Sequence, residues 1–203
     1  MPSRISDGSY AHVTGTFDLE QKTGTIDYVT PVKVAVKPMD FTDEGIRLRG
    51  MDGAGTQLFD KSVKPQRNSC APHATTGTYD EYVPVTPELQ QVELVIKQAV
   101  AARFKRGPQA QGAVVMGAPD PAAPHRFSVR AAGAAAPAPT GVTYTVQAKA
   151  EQDPNWQTIA VGLNAPTTEV DVNQFPGAKS VNVRVLQSDG FSEKQIFQDT
   201  KTF

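Results

Sequence analysis

The chain has 203 residues, enough for one large or two small domains. Its 20 Lys and Arg against 21 Asp and Glu give a formal net charge of -1, which removes the electrostatic reason to expect nucleic acid or an anionic membrane as a partner. Hydrophobic residues make up 39% and Gly and Pro stand at 16 each; that favours a turn-rich all-β chain over a helical one.

No apolar run approaches a membrane span. The opening Met1-Pro2-Ser3-Arg4-Ile5-Ser6-Asp7 carries no apolar signal segment, which leaves two alternatives, a cytoplasmic chain or a piece of a longer precursor. Cys70 is the single cysteine, so no intrachain disulfide can form.

In chain order, Tyr10 to Asp18 alternates as a strand and Glu20 to Gly24 reads as a turn. Thr25 to Val36 sets Ile26, Tyr28, Val32, Val34 and Val36 on a period of two. Pro31 interrupts that run; lacking an N–H, it marks a bulge or a sheet edge. Gly45 to Gly50 is a short half-buried strand, Asp52-Gly53 a hairpin signal, and Gln57 to Asp60 the returning strand. A long polar loop over Pro65 to Gly77 precedes a strand at Tyr79 to Val85. Leu89, Val92, Val95 and Ile96 also fit helical spacing, but β-branched residues and the nearby Pro84 and Pro87 favour strands at Gln91 to Lys97 and Val100 to Lys105. The basic cluster Arg103 to Arg106 reads as a solvated strand end.

Composition shifts at Arg106 to Pro124, rich in Ala, Gly and Pro. It divides the chain into an N-terminal sandwich, 8–106, and a C-terminal one, 107–203. Ala113 to Met116 opens the second half. The segment Ala131 to Thr140 is a loop between strands at Arg126–Arg130 and Val142–Ala150. Tyr144, Val146 and Ala148 share one face; Trp156, Ile159 and Val161 follow a turn; Val170 and Val172 precede the turn Phe175-Pro176-Gly177. Val181, Val183 and Val185 lie opposite Asn182 and Arg184, and Asp189-Gly190 turns into a last strand running from Phe191 to Phe197. Short strands at this spacing predict a sandwich or barrel.

The residues Tyr144-x-Val146, Trp156, Pro176-Gly177, Val183-Arg184-Val185 and Ser188-Asp189-Gly190-Phe191 resemble fibronectin type III-like, immunoglobulin-like modules at the carboxy end of large secreted or surface bacterial proteins. Gly15 to Asp18, Leu48, Asp52 to Gly55 and Tyr82 to Val85 are similar to the β-domain that often precedes such a module. The resemblance spans roughly residues 8–198 and implies two consecutive antiparallel β-sandwiches, extracytoplasmic and sometimes downstream of a metalloprotease-like domain. Departures are plain: Ser180-Val181 stand where a strand tyrosine is usual, Arg-Gly-Asp is missing, and an Ala/Pro stretch replaces a more polar connection.

Candidate chemistry is sparse. Cys70 and His73 form a C-x-x-H pair, two of the four ligands that zinc requires. Asp40, Asp43 and Glu44 could offer oxygens to calcium, but lack the spaced Gly and distal Glu of a dedicated loop. Glu151 and Asp153 near Trp156 mimic a carboxylate pair beside a sugar-stacking ring, although Trp156 itself reads as core. No G-x-S-x-G, H-E-x-x-H or phosphate-cradling glycine loop occurs. These features point to a non-catalytic accessory module with no cofactor. Its expected partners are a neighbouring domain or an exterior polymer, with no nucleic acid and no membrane insertion, and the chain is expected to be a monomer. Two alternatives remain. A carbohydrate-binding module, with or without calcium, requires an exposed ring among Trp156, Tyr79 and Tyr82. An accessory part of a metalloprotease-like enzyme requires Asp, His or Arg gathered where the domains meet.

Overall fold

The computed structural model describes residues 6–36, 44–67, 70–71, 73–108, 113–132 and 140–203. Two compact units emerge, Met1–Arg106 with Gly190–Ser192, and Gly107–Asp189 with Glu193–Phe203. Both are antiparallel β-sandwiches, so the chain is all-β. Among the described residues no helix is long and apolar enough to cross a membrane.

The first unit contains β1 (Ser6–Asp18), β2 (Thr23–Gly24), β3 (Tyr28–Val36), β4 (Ile46–Met51), β5 (Gln57–Ser62), β6 (Thr76–Pro84), β7 (Gln91–Ile96) and β8 (Ala99–Lys105). In one sheet β1 is central, with β2 and β3 on one flank and β6 on the other. The other sheet runs β5-β4-β7-β8. Alternation on β1 aims Ala11, Val13 and Phe17 inward, where they meet Leu48, Val92, Leu94 and Ile96. Pro31 sits on the edge strand β3, where its missing N–H costs no ladder bond. Of the period-two set, Tyr28 and Val32 fall on the outward phase of β3, whereas Ile26, ahead of the strand, packs against the core. Val29 is buried while Tyr28 is 38% exposed, because pairing with buried Val13 fixes Val29 inward.

Strands, not a helix, occupy Gln91 to Lys105. The two residues joining β7 to β8, Lys97 and Gln98, both have positive φ, 46° and 71°. That is the twist a two-residue hairpin needs. Phe191 also departs from its sequence reading. It does not continue a strand but packs into the first unit's core, edge-on to Phe104 with ring centroids 5.5 Å apart. Gly190 permits the approach: its φ is +91°, and a Cβ there would lie 2.3 Å from the Phe104 ring.

The second unit contains β9 (Val114–Asp120), β10 (Ala123–Ala131), β11 (Thr143–Ala150), β12 (Gln157–Leu163), β13 (Thr168–Asp171), β14 (Ser180–Ser188) and β15 (Glu193–Thr202). One sheet is ordered β13-β10-β9 and the other β12-β11-β14-β15. In immunoglobulin-like lettering these are E-B-A and C′-C-F-G, a fibronectin type III-like arrangement. Phe127, Val129, Val146, Val170, Val183 and Val185 fill the space between the sheets. Val161 is 60% exposed, since bulges between β11 and β12 break the pairing that would turn it inward.

Candidate functional site

The sequence candidates do not converge. Asp40 and Asp43 lie outside the described residues. Glu44, the third calcium candidate, is held bidentately by Arg67, whose Nε also donates to the Ala74 carbonyl at 2.6 Å. The guanidinium lowers the Glu44 pKa. Cys70 and His73 are both exposed. Among the described residues no three His, Cys, Asp or Glu side chains are placed to hold a metal.

Trp156 is a correction to the sequence reading. It is half-buried and stands outside the core, because Lys149 and Arg184 project from the solvent side of β11 and β14 and engage its ring. The Lys149 Nζ lies 5.3 Å, and the Arg184 Cζ 4.3 Å, from the ring centroid. Arg184 Nε donates to Gln147 Oε1 at 2.8 Å. The Glu151–Asp153 pair is not assembled against it. Glu151 accepts from the buried Ser180 hydroxyl at 2.7 Å, at the position where a tyrosine was expected, and Asp153 caps its own turn at Asn155.

Tyr79 is 1% exposed and its hydroxyl donates to the Thr25 carbonyl at 2.7 Å. Burial, aided by the charge of Asp27, pushes its pKa far up. It offers no platform. Tyr82, three residues on, points the opposite way. Its ring stacks on His12 with centroids 5.0 Å apart, and His12 Nε2 meets Asp80 Oδ1 at 2.5 Å. Ladder register puts Tyr82 opposite His12, and Tyr28 opposite Thr14, with Tyr10 on the same outward phase of β1. Three strands thus build one tyrosine-, histidine- and threonine-bearing surface.

Two buried carboxylates were not anticipated from the sequence. Glu81, 8% exposed, shares the inward phase of β6. It accepts from Lys61 Nζ at 2.6 Å and from the Lys64 backbone N–H at 2.9 Å. Glu93 lies between Arg49 and Arg103 in one cross-strand row and accepts from Arg103 Nε at 2.9 Å. Both are consumed by cations or N–H groups, which is structural work. In the second unit a hollow of about 240 Å³ is lined mainly by Val172, Phe175, Pro176, Ala178, Val181 and Phe203. No group suited to acid–base chemistry enters it.

No family model matches the chain, and neither does any curated protein. Similar solved structures include a cytokine receptor complex, 14% identical with a TM-score of 0.33, covering 93% of this chain and 95% of that one. The chicken CNTN1 FN1-FN3 domains are 10% identical with a TM-score of 0.35, covering 98% of this chain and 63% of that one. A β-1,2-glucanase from Parabacteroides distasonis is 8% identical with a TM-score of 0.31, covering 99% of this chain and 29% of that one. Likeness at this level concerns the sandwich fold alone.

Proposed function

We propose that the chain is a non-catalytic structural module of a larger extracytoplasmic bacterial protein. It would act as a spacer, stabiliser or docking surface for a neighbouring domain. One observation carries this reading: among the described residues, five carboxylates that could do chemistry are each spent on structural partners. Glu44 is taken by Arg67, Glu81 by Lys61, Glu93 by Arg103, Asp80 by His12 and Glu151 by Ser180. A catalytic constellation needs such groups converging on a shared substrate position. Two stacked-sheet units with continuous apolar cores suit a load-bearing or spacing role instead.

An immunoblot of fractionated source cells with an antibody against this chain tests the proposal. A band well above 21.8 kDa in the secreted or surface fraction supports it. A band at that mass confined to the cytosol overturns it.

A further inference from the structure

We infer that the outward face of β1, β3 and β6 binds an uncharged, hydroxyl-rich polymer, a neutral polysaccharide chain, through Tyr10, Tyr28, Tyr82 and His12. The inference adds a ligand to the accessory role and rests on that reading only for where such a polymer would be met.

The four sheets present four outward faces, and charge separates them. Arg47, Arg49 and Arg103 stand on the face of β5-β4-β7-β8, Arg126 on that of β13-β10-β9, and Lys149 with Arg184 on that of β12-β11-β14-β15. Among the described side chains, the outward positions of β1, β3 and β6 carry no lysine or arginine, and their two carboxylates are already matched, Asp80 to His12 and Asp18 to the Glu20 and Gln21 N–H groups. Such a face offers no long-range attraction to an acidic or basic polymer. A neutral one loses nothing by covering it.

The side chains fit that partner. Tyr28 is 38% exposed, and Tyr10, Tyr82 and His12 are half-buried, so each ring is held by its neighbours yet still presents surface. Fixed aromatic rings give large contact area at low entropic cost and carry polar tips. Outward threonines, among them Thr14 and Thr30, place hydroxyls between the rings. Strands are spaced about 4.8 Å and alternate residues along a strand about 6.7 Å. From the register, the Tyr82 Cα is then roughly 8 Å from Tyr10 and roughly 12 Å from Tyr28. The platform is long enough for several consecutive sugar rings and too flat to enclose a single one.

Affinity electrophoresis of the purified chain tests this, in native gels containing mixed-linkage β-glucan, xylan or galactomannan, with polygalacturonate as the anionic comparison. Retardation is expected in at least one neutral gel, and Tyr28→Ala and Tyr82→Ala should each weaken it about tenfold. Trp156→Phe should leave it unchanged. Circular dichroism melts verify that the variants fold, and Tyr82→Ser is the substitute if Tyr82→Ala does not. No retardation in any neutral gel, retardation only by polygalacturonate, or retardation insensitive to both tyrosine changes would each overturn the inference. Because the purified chain is used, these outcomes are independent of where the parent protein resides.

Discussion

The two units occupy the same places in a sandwich but fill one of them differently. In each, four strands form a C′-C-F-G sheet: β5-β4-β7-β8 in the first and β12-β11-β14-β15 in the second. In each, a central strand pairs with an E strand on one flank and with an antiparallel edge strand on the other. The edge strand β9 precedes its central strand β10, whereas β3 follows its central strand β1. Both are antiparallel neighbours, so the two orders satisfy the same ladder and present the same inward face. Sheet packing therefore constrains strand placement more tightly than it constrains the order in which the chain supplies the strands.

Both units cover polar groups, Glu81 and Glu93 in the first and Ser180, Gln187, Ser188 and Asp189 in the second. They differ in how the core is closed: the first draws on Phe191, remote in sequence. The largest expected effect follows from that ring. Phe191→Ala should cost about 3–5 kcal/mol, read as faster amide exchange in β4 and β7 with β11 and β14 little changed. Phe127→Ala should cost a similar amount and reverse the pattern. Equal acceleration everywhere by either variant would break the comparison.

Glu81→Ala comes next. It leaves the Lys64 N–H without its acceptor and the Lys61 ammonium with the Tyr82 carbonyl but no counter-charge, at a cost of about 2–3 kcal/mol, measured as a lower denaturant midpoint. The β7–β8 turn should respond in the opposite sense. Replacing Lys97-Gln98 by Asn-Gly relieves positive φ in two ordinary residues and should stabilise by about 1 kcal/mol in the same assay.

The smallest effect is acid sensitivity. Glu44 is lowered by its bond to Arg67, and Asp52 chiefly by the Thr56 N–H, with Ala54 and Gly55 assisting. A depressed folded pKa stabilises above the unfolded value, about 4, and that stability is lost as pH falls through the folded value. Glu44→Gln and Asp52→Asn should therefore destabilise at neutral pH, with the gap to the parent chain closing below about pH 4. A gap that persisted in acid would show that these carboxylates act through packing and not through charge.

Local pattern made much of this legible. Val181, Val183 and Val185 announce one inward face, and all three are buried. The β7–β8 hairpin was readable against a competing helical spacing because β-branched residues fit a pleated surface. What stayed hidden depends on which strands are neighbours. Periodicity shows that Tyr82 and Tyr79 face opposite ways, but not which of the two faces is open, nor that Tyr10 and Tyr28 join Tyr82 on one surface. That surface exists only once β1 lies between β3 and β6. Trp156 misled for a related reason: cations on neighbouring strands of one sheet can hold an indole outside the core, and the nearer of them, Arg184, comes from a strand later in the chain. Glu81 in an inward phase was equally unreadable, since its partner Lys61 comes from another sheet.

The central position of β1 is the claim on which both the comparison and the tyrosine face depend. Cross-strand nuclear Overhauser contacts measure it directly. Contacts from His12 to both Tyr82 and Thr30 are expected, together with contacts from Thr14 to Asp80 and Tyr28. Contacts joining β3 directly to β6, with β1 at the edge, would contradict it.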